Sequence, residues 1–136
     1  MIQKSLVYIG LPYSSNNASI IEERIKHFCN VDSFLNENGI LTVSPILKHL
    51  LFEKGSSLPT DWNFWKEYSY NLLSRSDVLL ILKLDGWENS SGVTAEIEFG
   101  KERNIPIHYL EKNENPHNFI EKINFKNNNK ISKIKT

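Results

Sequence analysis

The chemistry-bearing residues of this chain concentrate in one segment, Asp85-Gly-Trp-Glu-Asn-Ser-Ser-Gly-Val-Thr-Ala-Glu-Ile-Glu98. It follows the most hydrophobic run in the sequence, Val78-Leu-Leu-Ile-Leu-Lys-Leu84, and leads into a helical pattern from Gly92 to Asn104. Ser90, Ser91 and the backbone N–H groups around Gly92 therefore open a helix. Such a terminus attracts a phosphate or carboxylate, although a serine there also serves as an ordinary cap. Glu96 lies in the first turns of the same helix, where the partial positive charge of the terminus favours its ionised form. Glu98 is two residues on, about 200° around the helix axis, so only one of the two can face a site or the sheet and the other must face water.

Other candidates come from the ends of the remaining apolar runs. Tyr8 belongs to the first run, where its hydroxyl could orient a carboxylate or its ring could simply pack in the core. Gly10, Pro12, Tyr13 and Ser14 follow in the next loop. His49 comes after Ser44-Pro-Ile-Leu-Lys48 and could contact a ligand. Trp62, Trp65 and Trp87 could stack on a base, but at helix and loop positions tryptophans more commonly pack. The four histidines, at 27, 49, 108 and 117, show no metal-ligand spacing, and with a single cysteine, Cys29, a cysteine-based metal site and an intrachain disulfide are excluded. No G-x-x-x-x-G-K-[ST] loop and no G-x-S-x-G elbow is present. Neither a metal nor a cofactor is expected.

The elements that position these residues follow from periodicity. Leu6–Ile9 reads as a strand broken by Gly10-Leu-Pro12. Ser19, three residues before Glu22, carries a capping-box signature, and Ile21, Ile25, Phe28 and Leu35 continue a helix to about Asn38 before Gly39. Ile40–Val43 is a second strand, and Ile46–Lys54 could form a short helix before the loop Gly55–Pro59. Asp61–Arg75 reads as a helix, Val78–Leu84 as a strand buried on both faces, and Ile105–Leu110 as a fourth strand. Asn115 and Pro116 open a last helix as cap and first residue. Asp77, at the start of its strand, stands at the wrong end for a site and reads as structural.

This alternation predicts an α/β fold, a three-layer α/β/α sandwich around a parallel sheet of four to five strands, flavodoxin- or Rossmann-like. Such folds bind ligands outside the carboxyl ends of the strands. Residues 1–124 form the expected domain.

The chain has 136 residues, with 16 Lys and Arg balancing 16 Asp and Glu. The neutrality is uneven: Lys126, Lys130, Lys133 and Lys135 leave 12 basic against 16 acidic residues in the rest of the chain. Residues 125–136 read as a flexible Lys/Asn-rich tail. A neutral balance argues against a nucleic-acid binder, and no run of 18 apolar residues suggests a membrane span. A cytoplasmic location is expected. With only Arg24, Arg75 and Arg103 available, all in predicted helices, phosphate recognition would rest on helix-end N–H groups and serines.

Tyr8-Ile-Gly-Leu-Pro-Tyr-Ser14, Val43-Ser-Pro-Ile46 with His49, Asp85–Ile97 and Ile105-Pro-Ile-His-Tyr109 together resemble the nucleoside 2-deoxyribosyltransferase-like superfamily, specifically a branch of small bacterial and phage proteins. The resemblance covers roughly residues 4–110. It implies cleavage of the N-glycosidic bond of a nucleoside or nucleotide, with Glu96 as nucleophile, Tyr8 placing it, and Ser90 on the 5′-phosphate, aided more weakly by Tyr13 and Ser14. It also implies a homodimer or higher homo-oligomer. The superfamily's aspartate on the helix before the third strand falls near Ser69, where no Asp stands; Asp61, Glu67 or Asp85 is a possible substitute. Two other readings stay open. One is a non-catalytic module binding a nucleotide-like ligand. The other is a TIR-like NAD-cleaving domain, since Ser76-Asp-Val-Leu-Leu-Ile-Leu82 with Ser90 and Glu96 also resembles that core.

Overall fold

A computed structural model describes residues 5–49, 55, 57, 59 and 61–124. The Lys/Asn-rich segment 125–136, most of the expected 50–60 helix-and-loop region and the side chain of His49 lie outside the described residues.

Four parallel strands form one sheet in the order β2-β1-β3-β4, where β1 is Leu6–Gly10, β2 is Leu41–Val43, β3 is Val78–Lys83 and β4 is Ile107–Glu111. In register, Tyr8 pairs with Leu79 and Gly10 with Ile81. Parallel neighbours need a long crossover, and the helices supply it: α1 (Ala18–Glu37), α2 (Ile46–His49), α3 (Trp62–Ser74) and α4 (Ser91–Glu102), with a final helix α5 over 117–124.

Strand alternation divides the core into two layers. Val7, Ile9, Leu80 and Leu82 face Phe28, Val31 and Leu35 of α1 and Phe119, Ile120 and Ile123 of α5. Tyr8, Leu79 and Ile81 face the other way, against Leu73 of α3 and Val93 of α4. The result is the expected three-layer α/β/α sandwich with four strands. β3 is buried on both faces, which is why its sequence is continuously apolar rather than alternating; truncating Leu80 to alanine there costs about 2–5 kcal/mol.

The helix ends obey local chemistry. α1 is capped by Asn17, not by Ser19: the Asn17 side chain accepts from the Ser19 N–H at 2.9 Å and from its hydroxyl at 2.7 Å. The hydroxyl thereby donates to the true cap instead of capping the helix itself. At the other end Gly39 takes φ 80° while its N–H reaches the Asn36 carbonyl at 3.0 Å and that of Ile40 reaches Leu35 at 3.0 Å, a Schellman closure that glycine makes inexpensive. Asn104, at φ 57°, ends α4 in the same way. Asp61 caps α3 through the Phe64 N–H, and Asn115 accepts from the His117 N–H at 3.0 Å. Asp77 is structural: its carboxylate accepts the Leu6 N–H at 2.7 Å and so joins the starts of β1 and β3.

β1 and β3 are neighbours whose following helices pack on opposite faces of the sheet. Their loops diverge, and a crevice opens at their carboxyl ends. Among the described residues, no helix is long and apolar enough to cross a membrane.

Candidate active site

A cavity of about 410 Å³ occupies that crevice, within the range of small-molecule clefts. Three strand-end loops build it: Gly10–Ser14 after β1, Ser44–Ile46 after β2, and Gly86 with Asn89–Gly92 after β3. Trp62, Trp65 and Ser69 complete it from α3. Their spacing of three and four residues puts them on one helix face.

Glu96 is the carboxylate in the wall. It is only 6% exposed, while Glu98 is exposed to solvent, so the two acids divide as helix geometry requires. The buried Tyr8 hydroxyl donates to Glu96 Oε2. Ser69, itself buried, hydrogen-bonds Tyr8 in turn. A chain Ser69–Tyr8–Glu96 thus links α3, β1 and α4 beneath the cavity. Gly10 supplies the room, since a Cβ there would stand 3.1 Å from Glu96 Oε1.

Burial decides the protonation of this pair. Desolvation raises the Glu96 pKa from 4.5 to about 8, against the lowering effect of the Tyr8 hydrogen bond. The expected ionising influence of the helix terminus, about 0.3–1 kcal/mol, is too small to reverse that. Burial, with the neighbouring Glu96 charge second, holds Tyr8 well above its usual 10.0, so it remains a neutral donor. A buried acid poised near neutrality in a cleft is the signature of a group that exchanges a proton or gains a charged partner.

Ser90 caps α4 by accepting the Val93 N–H at 3.2 Å, and it also lines the cavity. The helix starts at Ser91, one residue before the expected Gly92, after a turn of 3₁₀ helix at Trp87–Asn89. The N–H groups of Ser91 and Gly92 lie in that first turn, where no intrahelical acceptor exists. Cap and cleft lining are therefore compatible roles for Ser90.

The structure brings Gly10, Pro12, Tyr13, Ser14, Ser90, Ser91, Gly92 and Glu96 together around the cavity, with Tyr8 directly behind Glu96. It does not bring Asp85 or Trp87 there. The Asp85 side chain is 94% exposed and pairs with Lys112 at 3.4 Å, while its backbone carbonyl accepts from Arg24. Trp87 packs against the α3–α4 side of the core, with the Lys83 ammonium 5.4 Å from its ring and Tyr109 beside it. His49 ends α2, and its side chain lies outside the described residues. Among the described residues, no group of three His, Cys, Asp or Glu side chains converges to hold a metal ion.

Arg24 is the residue the sequence concealed. From the second turn of α1 it reaches the cavity, donating to the carbonyls of Tyr13 at 3.3 Å, Ser14 at 2.9 Å and Asp85 at 2.8 Å. One guanidinium thus ties the β1 and β3 loops together. Its helical position hid this, because a sequence does not say which surface residue of a helix overhangs a sheet edge. Ser69, Ser44 and Asn89 also line the cleft; each lies in or beside a segment noted in the sequence, but its residue type alone did not mark it as a cleft residue.

The sequence model of one protein family, described as Domain of unknown function (DUF1937), matches residues 5–112. The chain belongs to that family. No curated protein matches the sequence.

Proposed function

We propose that this member of the DUF1937 family cleaves the N-glycosidic bond of a nucleoside or nucleotide, with Glu96 as the nucleophile. The observation that carries the reading is a buried carboxyl in a small-molecule cleft, held by the Tyr8 hydroxyl and with its other oxygen toward the space over Gly10. Such a carboxylate can attack the anomeric carbon as the base departs, through an oxocarbenium-like state, and water or a second base then takes the sugar. Tyr8 fixes the attacking group in one orientation. Ser90 and the first N–H groups of α4 suit a sugar hydroxyl or a 5′-phosphate.

The test is incubation with deoxynucleosides, their monophosphates and NAD, with free base followed by chromatography. Base release that disappears in Glu96→Gln supports the reading, and nicotinamide release would favour the TIR-like alternative. A second reading, a cleft that binds a nucleotide-like ligand without turnover, draws on Ser69: a neutral hydroxyl stands where the resemblance expects an aspartate, and the Asp85 carboxylate points to solvent. Binding without base release would select it. The glycosidase reading also takes the protein as a homodimer or higher homo-oligomer, which light scattering on the eluting protein tests.

A further inference from the structure

A second cavity, of about 330 Å³, opens at the same end of the sheet but on its other face. That size admits a small molecule. Ile20, Arg24 and His27 line it from α1, and their spacing of four and three residues puts them on one side of that helix. Leu84 and Gly86 after β3 and Lys112 after β4 complete that wall. Leu84 is buried and belongs to the core layer shared by α1 and α5, so this cavity lies across the sheet from Glu96.

Its charged groups divide by exposure. Arg24 and His27 are half-buried, whereas its two acids, Glu23 and Asp85, are exposed and screened by water and salt. Asp85 holds Lys112 at 3.4 Å in an exposed pair, which contributes little and leaves the ammonium available to another anion. The Arg24 guanidinium carries five N–H groups and makes three hydrogen bonds to carbonyls, so it keeps donors for a further acceptor. Burial first, and the Lys112 ammonium second, hold the His27 imidazole below its ordinary 6.5, with Glu23 opposing them. The half-buried wall therefore sets a permanent cation beside an imidazole that gains a proton when negative charge arrives. Ile20 and Leu84 give the same space an apolar side.

We propose that this second cavity binds a small organic oxyanion, a carboxylate or phosphate ester carrying a short apolar group, between Arg24, His27 and Lys112. The oxyanion meets the guanidinium and the ammonium, and the apolar group lies on Leu84 and Ile20. The imidazole takes up a proton as the anion binds, so affinity rises as pH falls through the His27 titration. Glu23 and Arg24 from α1, Asp85 after β3 and Lys112 after β4 are the charged groups that line the cavity with this imidazole. The site does not depend on the glycosidase reading. It adjoins the Glu96 cleft through Arg24 and Gly86, which line both cavities; a Cβ at Gly86 would stand 3.1 Å from the guanidinium Nη2.

The probes are acetate, butyrate, inorganic phosphate and phenyl phosphate, added to the full chain at constant ionic strength with sodium chloride as the balancing salt. Amide and imidazole NMR resonances locate the binding, and His27→Gln identifies the His27 signals. The expected result is saturable shifts at His27, Gly86 and Lys112, with the His27 midpoint raised by at least about one pH unit. The apolar group should strengthen binding at least about fivefold, butyrate over acetate or phenyl phosphate over inorganic phosphate, and the tighter pair names the acid group. Lys112→Gln, an exposed change, should weaken that binding by at least about fivefold. Saturable shifts confined to Ser90–Gly92 would place the anion in the Glu96 cleft and overturn the second site. Shifts that chloride alone reproduces, or no shifts, would overturn it too, as would equal binding with and without the apolar group or an unchanged affinity in Lys112→Gln. None of these outcomes depends on base release, so the glycosidase reading stands or falls separately.

Discussion

Gly10 and Glu96 fit each other through a missing side chain. A Cβ on Gly10 would stand 3.1 Å from Glu96 Oε1 and 2.9 Å from Ile81 Cδ1, so the strand end leaves the carboxyl the space it occupies. Sequence distance conceals this relationship, since 86 positions separate a β1 terminus from the interior of α4.

Gly10→Ala should therefore displace the carboxyl while leaving its chemistry unchanged. Overpacking of this kind costs about 1–3 kcal/mol, which lowers the melting temperature. Base release should fall by at least about tenfold, since a displacement of about 1 Å can cost far more than that. A Gly10→Ala protein with full activity would mean that the Glu96 carboxyl does not act from this position.

Tyr8→Phe removes the hydrogen bond that lowers the Glu96 pKa against the effect of burial. A nucleophilic carboxylate works ionised, so the rate should rise with pH toward a plateau above about 8 in the native protein. In the variant the midpoint of that rise should move to higher pH. The rate–pH profile measures it, and an unmoved midpoint would remove Tyr8 from the positioning of Glu96. Loss of the hydroxyl also deprives Ser69 and Glu96 of a buried partner, at about 1–3 kcal/mol.

The same carboxyl makes stability depend on pH. Burial pushes Glu96 up to about 8 when folded, above the ordinary 4.5 of an exposed carboxyl, so between those values the folded state holds more proton than the unfolded one. Its contribution is fully present below 4.5, falls as pH rises through that window, and is flat above about 8. The limiting slope is about 1.4 kcal/mol per pH unit. Glu96→Gln lacks this dependence, so chemical denaturation of both proteins should show the variant gaining on the native protein from pH 5 to pH 8. Parallel curves would contradict the burial of this group.

Arg24→Lys tests the tie between the loops. A lysine ammonium lacks the planar fork that serves the Tyr13, Ser14 and Asp85 carbonyls together. Amide exchange at residues 13–14 and 85–86 should accelerate, and ligand affinity should weaken by about tenfold, the effect of about 1.4 kcal/mol. Unchanged exchange in both loops would show that they hold their positions independently.

Asp85→Asn is the control. Among the described residues its carboxylate, 94% exposed, is paired with Lys112 alone, an exposed pair worth about 0–1 kcal/mol, and the group that Arg24 holds is the backbone carbonyl. Activity should stay within about threefold of the native protein. A large loss would restore Asp85 as the acid for the leaving base.

Where the sequence reading succeeded, the signal was local. The apolar runs at 6–9 and 78–84, the cap at Asn115, and the stop at Gly39 all depend on residues within a few positions of one another. The one capping error had a local cause too, two cap-competent residues, Asn17 and Ser19, two positions apart, with Asn17 prevailing. Trp87 and Asp85 were misplaced for a different reason. They belong to the loop that forms the cleft, but a turn has two sides, and the 3₁₀ segment at Trp87–Asn89 turns the indole toward Lys83 and Tyr109 instead.

The sequence by itself determined the layers, the parallel order of elements and the end of the sheet at which the cleft opens, because hydrophobic period and short-range capping encode them. It also determined that Glu96 and Glu98 must part. The tertiary structure alone decided which of them is buried, that Tyr8 and Ser69 form a chain behind it, that Gly10 makes room for it, and that Arg24 crosses from α1 to join two loops. Those relationships arise from packing between elements distant in the chain. The charge state of Glu96 follows from the same cause: a helix terminus acts locally and weakly, whereas burial acts through every neighbour that excludes water.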